Sequence, residues 1–165
     1  MKKYLKSTGI IPYLIVSLCL VLMIVAKAVS YEYDSTTTYC FYGQEVLYGG
    51  VHSPSPSAIC AFIFLTMAST MLLIGAAVPL FKKDRPLLVF SGLLNLVSMV
   101  LIFAAAICVL FVKSDWPYLQ NQHYVVHTGS GYLTVSILSF LSSLLCLPSV
   151  IACFKKEKEE AEPLQ

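Results

Sequence analysis

Four long apolar runs, Ile10–Val29, Ala58–Phe81, Leu87–Val112 and Tyr132–Phe154, are separated by short polar stretches. Each exceeds about 18 residues, the length an α-helix needs to cross a hydrocarbon core roughly 30 Å thick. Lys27, close to the end of the first run, is the one charged residue inside them. The pattern predicts an all-α transmembrane four-helix bundle with spans at about 10–29, 58–81, 87–112 and 132–154. Outer loops then occupy about 30–57 and 113–131, and 155–165 form a short charged tail that reads as disordered. The first run has the basic start of a signal peptide. Its length of about 20 residues exceeds an h-region of about 7–15, so it reads as a retained span.

The first outer loop has its own pattern. Tyr31–Tyr42 is rich in Tyr and Thr with partial alternation, a composition suited to strands. Gly43 offers a turn and Glu45–Tyr48 a return strand, so Thr36–Phe41 and Glu45–Tyr48 are expected to pair antiparallel. Gln122–Val126 of the second loop could extend the sheet. Gly49-Gly50 and Ser53-Pro-Ser-Pro-Ser57 then interrupt regular structure. Two strands alone are marginal in water, so this small extracellular sheet needs support from the second loop or a disulfide. Phe41, Tyr42 and Tyr48 are its candidate recognition residues.

Charge adds orientation. Lys2, Lys3 and Lys6 precede span one; Lys82, Lys83 and Arg85 lie between spans two and three; Lys155, Lys156 and Lys158 follow span four. Lys/Arg excess marks cytoplasmic segments, which puts both termini in the cytoplasm. The plasma membrane is the expected location, with a junctional or vesicular membrane as the alternative. Net charge is only +2, too small to suggest a nucleic-acid partner. Lys27 reads as an interfacial anchor, or as an ion-binding group. The expected partners are membrane lipids and other membrane proteins.

Two spans carry polar stripes. Ser91, Asn95 and Ser98 fall on one face of span three, and Ser136, Ser139, Ser143 and Cys146 on one face of span four. Such residues let helices approach and hydrogen-bond in lipid, at roughly 0.6–2 kcal/mol per contact. The two readings are a bundle interface and a substrate pathway. No Asp, Glu, Arg or His lies within a run, unlike proton-coupled transporters and pumps. No catalytic set, cofactor site or metal site is read, and the chain is expected not to be an enzyme. His123 and His127 have the spacing of a helical metal pair, but their segment reads as strand or loop.

Among six cysteines there is no Cys-x-x-Cys. A Cys40–Cys60 bridge would tie the first loop to span two and contribute about 3 kcal/mol; the other reading is two free thiols. Cys153, beside Phe154-Lys155-Lys156, has the juxtamembrane setting of palmitoylation.

The layout of four spans, a β-rich first outer loop, a short basic inner loop and a shorter second outer loop resembles a known superfamily. It is similar to the claudin, peripheral myelin protein and epithelial membrane protein group. Ala61–Leu65 resembles the start of that group's second span, and Pro86–Gly92 the start of its third. His127–Tyr132, together with the exit at Phe154-Lys155-Lys156, resembles its fourth. The chain departs from the group's first-loop signature of Trp, Gly-Leu-Trp and two nearby Cys, because its one Trp is Trp116, in the second loop. The end Pro163-Leu-Gln165 also differs from the scaffold-binding terminus common in claudins. The resemblance implies a divergent member, non-enzymatic, that organises membranes or cell-surface contacts. The alternative it implies is an auxiliary or trafficking subunit of an ion channel or receptor.

Overall fold

A computed structural model describes residues 9–33, 37–49, 53–81, 85–115 and 124–161. Helix α1 (Ile10–Val25) leads into strand β1 (Lys27–Tyr33), followed by β2 (Thr37–Tyr42) and a short helix α2 (Gly43–Tyr48). Helices α3 (Pro56–Phe81) and α4 (Arg85–Phe111) come next, α4 running into a 3-10 turn at Val112–Asp115. Strand β3 (Tyr124–Thr128) then leads into α5 (Ser130–Ala161). Helices α3, α4 and α5 each contain a stretch long and apolar enough to cross a membrane: Pro56–Val78, Val89–Asp115 (which includes the 3-10 turn) and Ser130–Ile151. Helix α1 is apolar but has 16 residues, about 24 Å at 1.5 Å per residue, short of a 30 Å core.

The helices close a ring, with α1 against α3 and α5, α3 against α4, and α4 against α5. Small residues are concentrated inside, beside a few large ones such as Leu65, Leu72 and Ile102. Ala58, Ala61, Ala68 and Ala76 of α3, Ala105 and Ala106 of α4, and Ser139, Ser142 and Cys146 of α5 are buried. Leu93, Val97, Val100 and Ile107 of α4, and Ile137, Leu141 and Leu144 of α5, are exposed. Contiguous large apolar side chains on the outside are what a lipid-facing surface requires.

The first apolar run does not stay helical to Val29. The chain turns extended at Ala26 (φ −85°, ψ 161°), and Lys27 opens β1. Strand β1 is central, antiparallel to β2 on one side and β3 on the other. Pairing on both edges satisfies its backbone, which outweighs the apolar continuity of Ala28 and Val29. Exposed Lys27 is therefore a strand residue.

The expected return strand is also corrected. Glu45–Tyr48 belongs to α2, whose Glu45 carboxylate accepts the Tyr42 backbone N–H at 2.9 Å. The strand paired with β2 comes before it, not after. Helix α5 continues to Ala161, so residues 155–161 are helical rather than disordered; Lys, Glu and Ala are good helix formers.

Glycines allow the sheet to sit on the helix ends. The Gly43 N–H donates to the Ala26 carbonyl at 2.9 Å, and the Gly129 N–H to that of Ala28 at 2.7 Å. A Cβ at Gly43 would stand 1.8 Å from the Met23 carbonyl oxygen, which forbids any side chain there. Gly43→Ala is predicted to lower stability by about 1–3 kcal/mol through forced backbone movement. Gln44→Ala, at the exposed neighbour, should stay within about 0.5 kcal/mol. Thermal unfolding in mild detergent compares the two.

Candidate functional site

Cross-strand register sorts the sheet into two faces. Val29, Phe41 and Thr128 are aligned, as are Tyr31, Tyr39 and Val126. Val29 is buried, and Phe41 and Val126 pack on the hydrophobic core, so this face looks at the bundle. Tyr31 stacks on Tyr39 and Phe41, with ring centroids 5.1 and 5.4 Å apart. Such ring pairs stabilise a sheet beyond their area burial. Tyr39, Tyr42 and Tyr48 are more than half exposed. Of the three candidate recognition residues, Tyr42 on β2 and Tyr48 on α2 are thus open, whereas Phe41 is half-buried against the core.

Cys40 aligns with Ser30 and His127 on the opposite face. Cys60 is exposed on α3. Both are free thiols, and the expected bridge is not formed: β2 turns Cys40 to the sheet face away from the core, and Cys60 lies on the outer face of its helix. Only the helical backbone is described at Cys153, and its side chain lies outside the described residues. His127 is an exposed residue of β3; His123 lies outside the described residues. Among the described residues, no cluster of three or more His, Cys, Asp or Glu is arranged to hold a metal.

The six stripe residues, Ser91, Asn95, Ser98, Ser136, Ser139 and Ser143, are all buried. Ser91 Oγ donates to the Gly75 carbonyl of α3 at 2.7 Å, and Ser136 Oγ to the Ala106 carbonyl of α4 at 2.9 Å. Ser98 Oγ reaches the Leu94 carbonyl of its own helix at 2.8 Å and Ala68 of α3 at 3.4 Å. Ser139 Oγ faces Cys19 Sγ of α1 at 3.7 Å, and Ser143 Oγ bonds within α5 to Phe140 at 2.8 Å. Asn95 behaves otherwise: both polar atoms of its amide are buried without a hydrogen-bond partner.

Three polar contacts carry no stripe signature. Ser142 Oγ donates to the Pro12 carbonyl at 3.3 Å. Tyr132, fully buried, donates its hydroxyl to the Met23 carbonyl at 3.2 Å. Asp115, at the end of the 3-10 turn, accepts the Ser57 N–H and the Ser57 hydroxyl, each at 2.9 Å, and the Ser55 hydroxyl. Ser55 Oγ in turn accepts the Ala58 N–H at 3.1 Å, which makes Ser55 the cap of α3 with Pro56 in its first turn. The Ser55-Pro56 start signal is visible in the sequence. The remote carboxylate that completes it is not, because its partner lies about 60 positions away.

Asp115→Ala is predicted to cost on the order of 2 kcal/mol. It removes the hydrogen bonds to Ser55 and Ser57 and a negative charge from the N-terminus of α3. Ser114→Ala, at an exposed neighbour, serves as the control in the same unfolding measurement.

No protein-family model, curated protein or solved structure matches this chain.

Proposed function

We propose that the chain is a non-enzymatic four-span membrane protein, a divergent relative of the claudin group. In this reading it organises membrane or cell-surface contacts through the sheet that crowns its bundle. Helix α1 serves as the short fourth span, lying antiparallel along α5 with Pro12 opposite Ser142 and Met23 opposite Tyr132. The three basic clusters of the sequence then share the cytoplasmic side, and the sheet lies outside the cell. The observation that carries the reading is the exposed tyrosines, Tyr39 and Tyr42 on β2 and Tyr48 on the adjoining α2, beside a sheet backed by the bundle. Tyrosine offers large contact area and a hydrogen-bonding tip at low entropic cost.

A second reading, an auxiliary subunit bound inside the bilayer, is favoured by an apolar groove between α4 and α5. The groove encloses about 440 Å³ and is lined by Phe103, Ile107, Leu110, Leu133, Ile137 and Phe140.

Tags at Met1 and Gln165 should become accessible to antibody only after permeabilisation; staining of either on intact cells would contradict the orientation. Tyr42→Ser/Tyr48→Ser changes exposed rings and spares Phe41, so the variant should reach the surface. It should then lose patch formation between cells or capture of a surface partner. Normal surface delivery with every such contact kept would reduce the sheet to a cap on the bundle. Loss of patches only when the α4–α5 groove is altered, as in Ile107→Trp, would favour the second reading.

A further inference from the structure

The side chain of Asn95 is fully buried, and neither its Oδ1 nor its Nδ2 has a protein partner. Leaving a buried amide in this state is costly. Two glycines make room for it. A Cβ at Gly75 of α3 would stand 3.0 Å from Asn95 Oδ1, and one at Gly9 would stand 3.2 Å away.

Gly9 is itself buried and caps the N-terminus of α1 in a left-handed conformation (φ 66°), with no side-chain cap hydrogen bond. Helix geometry leaves the N–H groups of Gly9, Ile10 and Ile11 without partners inside α1, and Pro12 has no N–H to offer. The start of α1 and the unpartnered amide therefore lie side by side. They do so well inside the bundle. Helix α3 runs on from Gly75 to Phe81, and α4 begins at Arg85, ten residues before Asn95. At 1.5 Å per residue the site lies about 9–15 Å from those helix ends. No bulk solvent reaches Asn95 at this depth, and backbone groups within a membrane must find partners.

We propose that Asn95, Gly75 and the N-terminus of α1 form a binding site for a hydroxyl group. A hydroxyl is the smallest ligand that can donate to Oδ1 while accepting from Nδ2 of the same amide. A carboxylate or phosphate would leave Oδ1 facing another acceptor, and a metal cation would face the positive end of the helix dipole. Water and the hydroxyl of a membrane lipid both supply this chemistry. A buried water needs two to four such polar partners, and the two amide atoms of Asn95 supply two.

The test is a high-resolution structure of the full chain in lipid nanodiscs, with thermal unfolding of variants. The expected result is non-protein density within about 3.2 Å of the Asn95 amide, the reach of a hydrogen bond. An isolated feature identifies water; a feature continuous with an elongated apolar body identifies a lipid hydroxyl. Asn95→Val should abolish the density and lower the unfolding midpoint by several degrees, and Asn95→Thr should recover part of that loss. Should Asn95→Val fail to fold, the wild-type density alone decides. A dry, closed contact around Asn95 would overturn the site. So would an Asn95→Val midpoint equal to or above wild type, the outcome for an amide that binds nothing.

Discussion

Close helix approach through small residues is the constraint on which the rest of the structure depends. Ala, Ser, Gly and Cys make up much of the interior, beside larger residues such as Leu65, Leu72 and Ile102, while Leu, Ile, Val and Phe cover the outside. In water this arrangement would be unfavourable, because the apolar area most worth burying is exposed. In hydrocarbon there is no hydrophobic gain from bringing leucines together. Van der Waals contact between backbones and hydrogen bonds across helices take over. The serine bonds from Ser91 to Gly75 and from Ser136 to Ala106 are of that kind. Each also needs a small residue opposite, so packing and polarity are one feature rather than two.

The helix-to-strand change at Ala26 transmits this arrangement to the sheet. The end of α1 is gripped from three directions: Tyr132 on the Met23 carbonyl, Gly43 on that of Ala26, and Gly129 on that of Ala28. Strand β1 leaves this point already aimed, so β2 and β3 add to a strand fixed by the bundle. Asp115 completes the same end by joining the 3-10 turn after α4 to the start of α3. Tyr39 and Tyr42 are thus presented by a sheet anchored at several helix ends, and Tyr48 by the short helix that follows it. Such anchoring lowers the entropic cost of using those side chains in recognition.

Much of this was legible in the residues. The apolar runs locate α3 and α4 and the start of α5 to within two positions, though α5 runs seven residues past the expected end, and i, i+4, i+7 spacing locates the serine faces. Tyr and Thr alternation locates β2 and part of β1. Besides the Asp115 cap, three features were not legible, each for a physical reason. Ala28 and Val29 are as apolar as the helix before them, and only pairing with distant β2 and β3 makes them strand. Glu45–Tyr48 has strand-like residues, but its helix depends on a local bond from Glu45 back to the Tyr42 N–H. The Asn95 environment depends on Gly9 and Gly75, which lie 66 positions apart in sequence.

Helix α4 turns Leu93, Val97, Val100 and Ile107 to lipid and Asn95, Ser98, Ile102 and Ala105 into the bundle. Nitroxide labels placed singly along Ser91–Val109 of α4 in lipid bilayers, with native cysteines replaced, test it most directly. Collision rates with oxygen, which partitions into hydrocarbon, should rise and fall with a period near 3.6 residues. Maxima are predicted at Leu93, Val97, Val100 and Ile107, and minima at Asn95, Ser98, Ile102 and Ala105. Maxima on the serine face would contradict the account, as would outward positions that meet a water-soluble relaxation agent more readily than oxygen.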